Sequence, residues 1–137
     1  MVVYDRKPTE MRVRCVIVDD NPGFLEAARG LLEGQGIEVV AVASTSAEAI
    51  RRVADLRPDV TLVDVNLGEE NGADLARRLL SDETSPTRVI LISTYAQDDL
   101  VEALPSGLTV PFVSKARLSA MTIRAALETA ADGGTAD

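Results

Sequence analysis

Apolar residues occur along this chain in short unbroken runs, and longer amphipathic segments separate these runs. The runs are rich in β-branched residues and show no polar alternation, which is typical of strands that are buried on both faces of a parallel sheet. The pattern predicts five strands, over residues 12–18, 37–43, 59–65, 88–93 and 110–114.

The segments between these runs carry helical periodicity and turn signals. An Asn-Pro-Gly sequence at 21–23 opens the first helix, which ends at Gly34. Thr45 and Glu48 have the spacing of a capping box, and they start a second helix. The second helix extends to residue 56, and three more are predicted over residues 73–80, 97–104 and 118–131. On the first helix the predicted apolar face comprises Phe24, Ala27, Ala28, Leu31 and Leu32.

The alternation of strands and helices predicts a parallel sheet with right-handed crossover connections. We expect a single-domain α/β fold, a doubly wound (βα)5 sheet of the flavodoxin-like kind with strand order 2-1-3-4-5. A length of 137 residues suits one such domain. The predicted organisation is an N-terminal extension at 1–11, the domain at 12–131 and a disordered tail at 132–137.

The charge and composition of the chain exclude several classes of function. With 22 acidic and 14 basic residues the net charge is −8, and such a surface repels a phosphate backbone, so direct nucleic-acid binding is not expected. The chain has no histidine, which excludes Ser-His and Cys-His nucleophile pairs and His-ligated zinc. The lone Cys15 and the absence of a long apolar run predict a cytoplasmic protein without membrane association.

Polar side chains follow several of the predicted strands. Strand one ends at Asp19 and Asp20, strand three ends in Asp64, strand four ends in Ser93, and Lys115 follows strand five. In an open parallel sheet, ligands bind at the carboxyl ends of the strands beside the switch point. Because strands one and three are neighbours in the predicted order, we expect the three carboxylates to converge there.

Three converging carboxylates repel one another, and a hard divalent cation relieves that repulsion. Oxygen-only ligands at a solvent-facing loop favour Mg²⁺, with Mn²⁺ as an alternative. A metal at this place neutralises and orients an incoming phosphoryl group. One carboxylate would then act as the nucleophile and form an acyl phosphate.

The sequences VIVDD, PDVTLVDVNLGEENG, VILIS and FVSK resemble the response-regulator receiver domain of bacterial two-component systems, over residues 12–131. The resemblance implies that Asp64 is the phosphoacceptor. It also implies that Mg²⁺ is held by Asp19, Asp20, Asp64 and the backbone carbonyl of Asn66. A histidine kinase or a His-phosphotransfer protein is the implied phosphodonor.

The resemblance further assigns phosphoryl contacts to Ser93, Thr94 and Lys115. Phosphorylation would draw Ser93 toward the phosphoryl group and let Phe112 turn inward. This movement would repack the surface formed by the predicted fourth helix, fifth strand and fifth helix, which is the signalling face of the family. Such a domain is a signalling module rather than an enzyme, apart from slow self-dephosphorylation.

Asn66 and Tyr95 would flank the path of attacking water, and the bulk of Tyr95 predicts a long-lived phosphorylated state. Several positions depart from the commonest family pattern. Ser93 stands where threonine is more usual but keeps the hydroxyl. Thr94 is bulkier than the usual small residue and would narrow access to the acceptor. Gly68 replaces a common proline, which predicts a more mobile loop.

The last helix carries two apolar stripes where one core face would suffice. One stripe comprises Leu118, Met121 and Ala125, and the second comprises Ile123, Ala126, Leu127 and Ala130. A second stripe predicts a protein contact, and we expect a homodimer through the surface of the fourth helix, fifth strand and fifth helix.

Two other functions compete with phosphorylation-dependent signalling. One is a receiver-like interaction module that is never phosphorylated, against which the complete acidic set argues. The other is a haloacid-dehalogenase-like phosphatase, which needs an acid two residues past its nucleophile, whereas Asp19 is followed at that distance by Asn21. The sequence leaves open whether the domain stands alone or is cut from a longer regulator, for example one with a helix-turn-helix domain.

Overall fold

The apolar runs form the strands of one parallel sheet in a computed structural model that describes residues 12–84, 87–94 and 110–136. The strands are β1 (Arg14–Val18), β2 (Glu38–Ala43), β3 (Val60–Asp64), β4 (Arg88–Ser93) and β5 (Phe112–Ser114). Their order is β2-β1-β3-β4-β5, and every neighbouring pair is parallel. The predicted order 2-1-3-4-5 is therefore confirmed.

Four α-helices lie within the described residues. They are α1 (Pro22–Gly34), α2 (Ser46–Leu56), α3 (Gly72–Ser81) and α4 (Ala120–Ala136), and a 3-10 turn covers Lys115–Arg117. The helix predicted over 97–104 falls outside the described residues, so α4 is the helix predicted over 118–131. Its backbone stays helical to Ala136, into the segment predicted as a disordered tail.

The helix starts have clear local causes. The Asn21 side chain caps α1 by accepting a hydrogen bond from Phe24 N at 3.1 Å, and Pro22 follows at the first helical position. Thr45 caps α2 in the same way, through Glu48 N at 3.1 Å. The predicted capping box is modified, because Glu48 Oε1 accepts from Ser44 N rather than from Thr45 N.

The helices cover both faces of the sheet. On one face α1 and α4 bury Leu25, Leu32 and Ile123 against strand residues that include Ile17 and Ile90. On the other face α2 and α3 bury a second apolar cluster against the sheet. Burial of each large aliphatic side chain contributes about 1.5–3 kcal/mol. This double cover explains why the strand sequences lack polar alternation.

Two predicted helix faces differ from the structure. On α1, Leu25 is buried, whereas Ala27 and Leu31 are exposed, because the helix turns Leu25 toward the sheet. On α4, the predicted stripe is divided, because Leu118 is buried in the core before the helix begins while Met121 is 78% exposed. The second stripe is the core face, since Ile123 is buried and its neighbours Ala126 and Leu127 are half-buried against the core.

The homodimer therefore stays a prediction that rests on Met121 and Ala125, the exposed apolar residues of α4 whose side chains are described. Ala130 lies outside the residues whose side chains are described. Within the described part of the chain, no helix combines the length and hydrophobicity needed to cross a bilayer.

Candidate functional site

Three carboxylates meet at the carboxyl end of the sheet. Asp19 and Asp20 follow β1, Asp64 ends the adjacent strand β3, and each offers an oxygen within 4.8 Å of the other two. Asp19 is fully buried and Asp64 is 6% exposed, whereas Asp20 is exposed. The convergence predicted from the strand order is present.

The turn after β1 fixes Asp19 in place. Its backbone N–H donates to Ala43 O of β2 at 3.0 Å, and its Oδ1 accepts from Asn21 N at 2.9 Å. Asn21 in turn caps α1 through Phe24 N. The carboxylate is thus held by the same short segment that starts the helix.

Lys115 brings a positive charge onto these carboxylates from the end of β5. Its Nζ lies 2.6 Å from Asp19 Oδ2 and 3.2 Å from Asp64 Oδ2, and its side chain is 14% exposed. The same Nζ lies 4.3 Å from the centroid of the Phe24 ring. The lysine predicted to act at this site therefore contacts Asp64 directly.

The pKa values of this group show an excess of negative charge. Burial raises the pKa of Asp64, and the Asp19 charge raises it further, against the lowering effects of Lys115 and the Asn66 N–H. Burial by itself lowers the pKa of Lys115, but its contacts with Asp19 and Asp64 outweigh burial and raise that pKa. The Lys115 ammonium is well compensated and the Asp64 carboxylate is not, because one cation faces two buried anions.

The site has the chemistry of a divalent-cation site. Asp19 Oδ2 is buried and makes no hydrogen bond of normal geometry among the described residues. It is in contact with Lys115 Nζ through the ion pair. All the converging donors are carboxylate oxygens, which suit a hard cation such as Mg²⁺. Asp19, Asp20 and Asp64 therefore fit the metal that the sequence predicts.

The loop after β3 is a small hairpin rather than an unstructured loop. Its two-residue strands, Asn66–Leu67 and Glu70–Asn71, pair antiparallel. Gly68 has φ +61, and a Cβ there would lie 3.1 Å from Asp20 Oδ2. Glycine therefore meets a specific requirement at this position, since a proline cannot adopt a positive φ, and the expected mobility of the loop stays a prediction.

Two contacts anchor this hairpin. Asn66 N donates to Asp64 Oδ1 at 3.2 Å, which is the carboxylate oxygen that Lys115 does not contact. Glu70 Oε1 accepts from Ser46 N, the first residue of α2, at 2.8 Å. The Glu70 contact was not predicted, because it joins segments that are distant in sequence.

Gly72 is a further residue of the site, and it was not predicted from the sequence. A Cβ at this position would overlap the backbone carbonyl oxygen of Asp64, so the start of α3 approaches the end of β3 as closely as glycine allows. Asn71 caps α3 by accepting from Ala73 N at 2.7 Å. The Asn-Gly pair before a helical pattern was the available signal.

The remaining predicted residues lie around this group to different degrees. Ser93 is buried at the end of β4, the strand next to β3, and Thr94 is exposed directly after it. Phe112 is half-buried at the start of β5 and packs against the second apolar cluster. Tyr95 lies outside the described residues, so its predicted effect on the phosphorylated lifetime stays a prediction.

Comparison with known proteins identifies the family. The family described as response regulator receiver domain matches residues 15–128, which is most of the chain. The chain belongs to the response regulator receiver domain family.

Solved structures agree with this assignment. The signal receiver domain of NarL from Mycobacterium tuberculosis superposes with a TM-score of 0.72 and 30% identity, covering 87% of this chain and 96% of that domain. The response regulator domain of Thermotoga maritima CheB superposes with a TM-score of 0.64 and 26% identity, covering 89% and 93% respectively. The receiver fold expected from the sequence is confirmed.

Curated relatives are longer proteins. A protein-glutamate methylesterase/protein-glutamine glutaminase from Geobacter sulfurreducens is 36% identical over 106 residues, which are 76% of this chain and 28% of that protein. The DNA-binding response regulator MtrA from Mycolicibacterium smegmatis is 37% identical over 97 residues, which are 71% of this chain and 42% of that protein. This chain thus spans less than half the length of these relatives. Their names describe different activities, an esterase and glutaminase in one and DNA binding in the other.

Proposed function

We propose that this receiver domain accepts a phosphoryl group on Asp64 from the phosphohistidine of a histidine kinase or a His-phosphotransfer protein. The observation that carries the proposal is the buried Asp64 carboxylate, which lies within 4.8 Å of the Asp19 and Asp20 carboxylates and is contacted by Lys115. A buried carboxylate with a raised pKa at the switch point of a doubly wound sheet has the position and the electrostatics of a functional group.

Asp19, Asp20, Asp64 and the Asn66 carbonyl would hold Mg²⁺, which supplies charge neutralisation for the incoming phosphoryl group. An Asp64 oxygen attacks phosphorus, the phosphorus–nitrogen bond to histidine breaks, and an acyl phosphate forms. In this step Oδ2, the oxygen that Lys115 contacts, attacks, and Oδ1 keeps its hydrogen bond from Asn66 N.

Lys115 then transfers its contact from Asp64 to a phosphoryl oxygen, a movement that its present 3.2 Å distance from Asp64 Oδ2 makes short. Ser93 and Thr94, at the end of the neighbouring strand, donate hydroxyl hydrogen bonds to the other phosphoryl oxygens. Movement of Ser93 leaves space for Phe112 on β5. The differential contacts of Ser93 and Lys115 with phosphate are what shift the equilibrium toward the signalling conformation.

Incubation with acetyl phosphate and Mg²⁺, followed by intact-mass measurement, tests the proposal. We expect wild type to gain one phosphoryl group and Asp64→Asn to gain none, and EDTA to abolish the gain. Asp55→Asn is the matched control, because Asp55 is an exposed residue of α2 away from the carboxylate group, and it should be phosphorylated as wild type is. Equal phosphorylation of Asp64→Asn would refute the assignment of the acceptor.

A further inference from the structure

Phe24 is in contact with the charged group of the site although it carries no charge. Its ring centroid lies 4.3 Å from Lys115 Nζ, the same nitrogen that lies 2.6 Å from Asp19 Oδ2 and 3.2 Å from Asp64 Oδ2. Phe24 N donates to the Asn21 side chain, and Asn21 N donates to Asp19 Oδ1. One short segment therefore positions both an anionic and an aromatic partner of the ammonium.

The face of an aromatic ring attracts a cation within about 6 Å of its centroid, and the attraction is stronger where water is excluded. Lys115 meets this condition, because its side chain is 14% exposed and the carboxylate it contacts on Asp19 is buried. The Phe24 ring thus stabilises the ammonium in its place over the carboxylates.

The aromatic contact differs from the two ionic contacts in one respect. In the proposed function Asp64 becomes an acyl phosphate and Asp19 serves the metal, so both carboxylates take other partners. Phe24 takes part in neither exchange. It is the one of the three described contacts of Lys115 Nζ that can persist through the phosphorylation cycle.

We propose that Phe24 is a positioning residue for Lys115, which keeps the ammonium at the phosphoryl-binding place when the carboxylates are engaged elsewhere. This inference rests on the proposed function of Lys115. It predicts that loss of the aromatic ring face slows phosphoryl transfer through its effect on Lys115. This effect is separate from any effect of losing the packing of Phe24 against the core.

Substitutions at residue 24 separate the ring face from the apolar volume. Phe24→Leu keeps apolar volume and removes the π face, Phe24→Tyr keeps both, and site-specific incorporation of trifluorophenylalanine keeps the shape while weakening the ring quadrupole. We expect Phe24→Leu to slow phosphorylation by acetyl phosphate about 5-fold, Phe24→Tyr to stay within about 2-fold of wild type, and the fluorinated ring to fall between them.

A double substitution tests whether the effect acts through Lys115. In a Lys115→Met background, Phe24→Leu should cause no further slowing, because the cation is gone. An equal slowing in both backgrounds would show that Phe24 acts only through packing and would overturn the proposal. Wild-type rates in Phe24→Leu, or wild-type rates with the fluorinated ring, would also overturn it. If Phe24→Leu fails to fold, the tyrosine and fluorinated variants still decide the question.

Nuclear magnetic resonance of the unphosphorylated protein tests the contact independently of the phosphorylation chemistry. The ε-methylene protons of Lys115 should show an upfield ring-current shift in wild type and Phe24→Tyr, and Phe24→Leu should lose it. Absence of that shift in wild type would overturn the contact itself. Failure of wild type to take up a phosphoryl group would instead refute the proposed function, so the two failures are distinguishable.

Discussion

Gly72 is the position where a single added methyl group should disturb the fold and the site together. A Cβ there would overlap the Asp64 carbonyl oxygen, and it would also crowd the Val65 backbone. Gly72 N donates to Val65 O at 2.8 Å, so the two segments are joined by a backbone hydrogen bond as well as by contact. Relief of the overlap requires α3 to move away from β3 by more than about 1 Å.

The cost of Gly72→Ala has two parts. Overpacking against rigid backbone costs about 1–3 kcal/mol, and disturbance of the Asn71 cap of α3 costs about 1 kcal/mol. We therefore expect a loss of about 2–4 kcal/mol in the free energy of unfolding. We also expect slower phosphorylation of Asp64, because the displaced strand end moves the acceptor from its place.

Urea unfolding followed by far-ultraviolet circular dichroism measures this loss, with acetyl phosphate labelling as the second readout. Gly30→Ala is the matched control, because Gly30 lies within α1 with nothing within 4 Å of the added Cβ. The control should gain about 0.5–1 kcal/mol, as expected for alanine in place of glycine in a helix. A Gly72→Ala variant within about 0.5 kcal/mol of wild type would refute the close approach of α3 to Asp64.

Two further predictions follow from the pKa shifts. Burial and the Asp19 charge raise the pKa of Asp64 above its ordinary 3.8, so the folded state binds the proton more tightly than the unfolded state does. Ionisation of Asp64 therefore lowers the free energy of unfolding. Asp64→Asn, which removes this charge, should raise the urea midpoint at neutral pH in the presence of EDTA. The difference should shrink as pH falls through the raised pKa toward 3.8, and an equal or lower midpoint at neutral pH would contradict the charge excess. Burial raises the pKa of Cys15 to about 12, so iodoacetamide near pH 8 should label the thiol only as fast as the protein unfolds. Stoichiometric labelling at the rate of a free thiol, without denaturant, would contradict its burial.

The sequence predicted the sheet well because the strands have local signals and the alternation of elements indicates a known fold class. Unbroken apolar runs between turn signals identified each strand, and the order was that of the flavodoxin-like fold expected for such an alternation at this length. The faces of α1 and α4 were predicted less well. Leu25 and Leu31 are equally apolar, and only packing against the sheet decides that Leu25 is buried and Leu31 exposed.

Some residues of the candidate site were also predicted from local signals, and others were not. Asp19, Asp64 and Lys115 were predicted because each ends or follows a strand, and the order of strands places strand ends side by side. Gly72 and Phe24 were missed because each acts through a close contact with another segment of the chain. Periodicity placed Phe24 on the apolar face of a helix, and nothing in the linear sequence shows that Lys115 Nζ lies over its ring.

The charges of the four ionic side chains explain why a hydroxyl belongs in the proposed mechanism. Three carboxylates and one ammonium sum to −3 + 1 = −2, which a divalent cation cancels. Conversion of Asp64 to an acyl phosphate replaces a single negative charge by one of about −2, so the occupied site then carries about −1. The Phe24 ring adds no charge, and Lys115 is already counted. Hydrogen-bond donors must accommodate the excess, and of the two proposed hydroxyl donors Ser93 is the one buried at the end of the adjacent strand. The demand for that donor is what would convert phosphorylation at Asp64 into movement at β4 and β5.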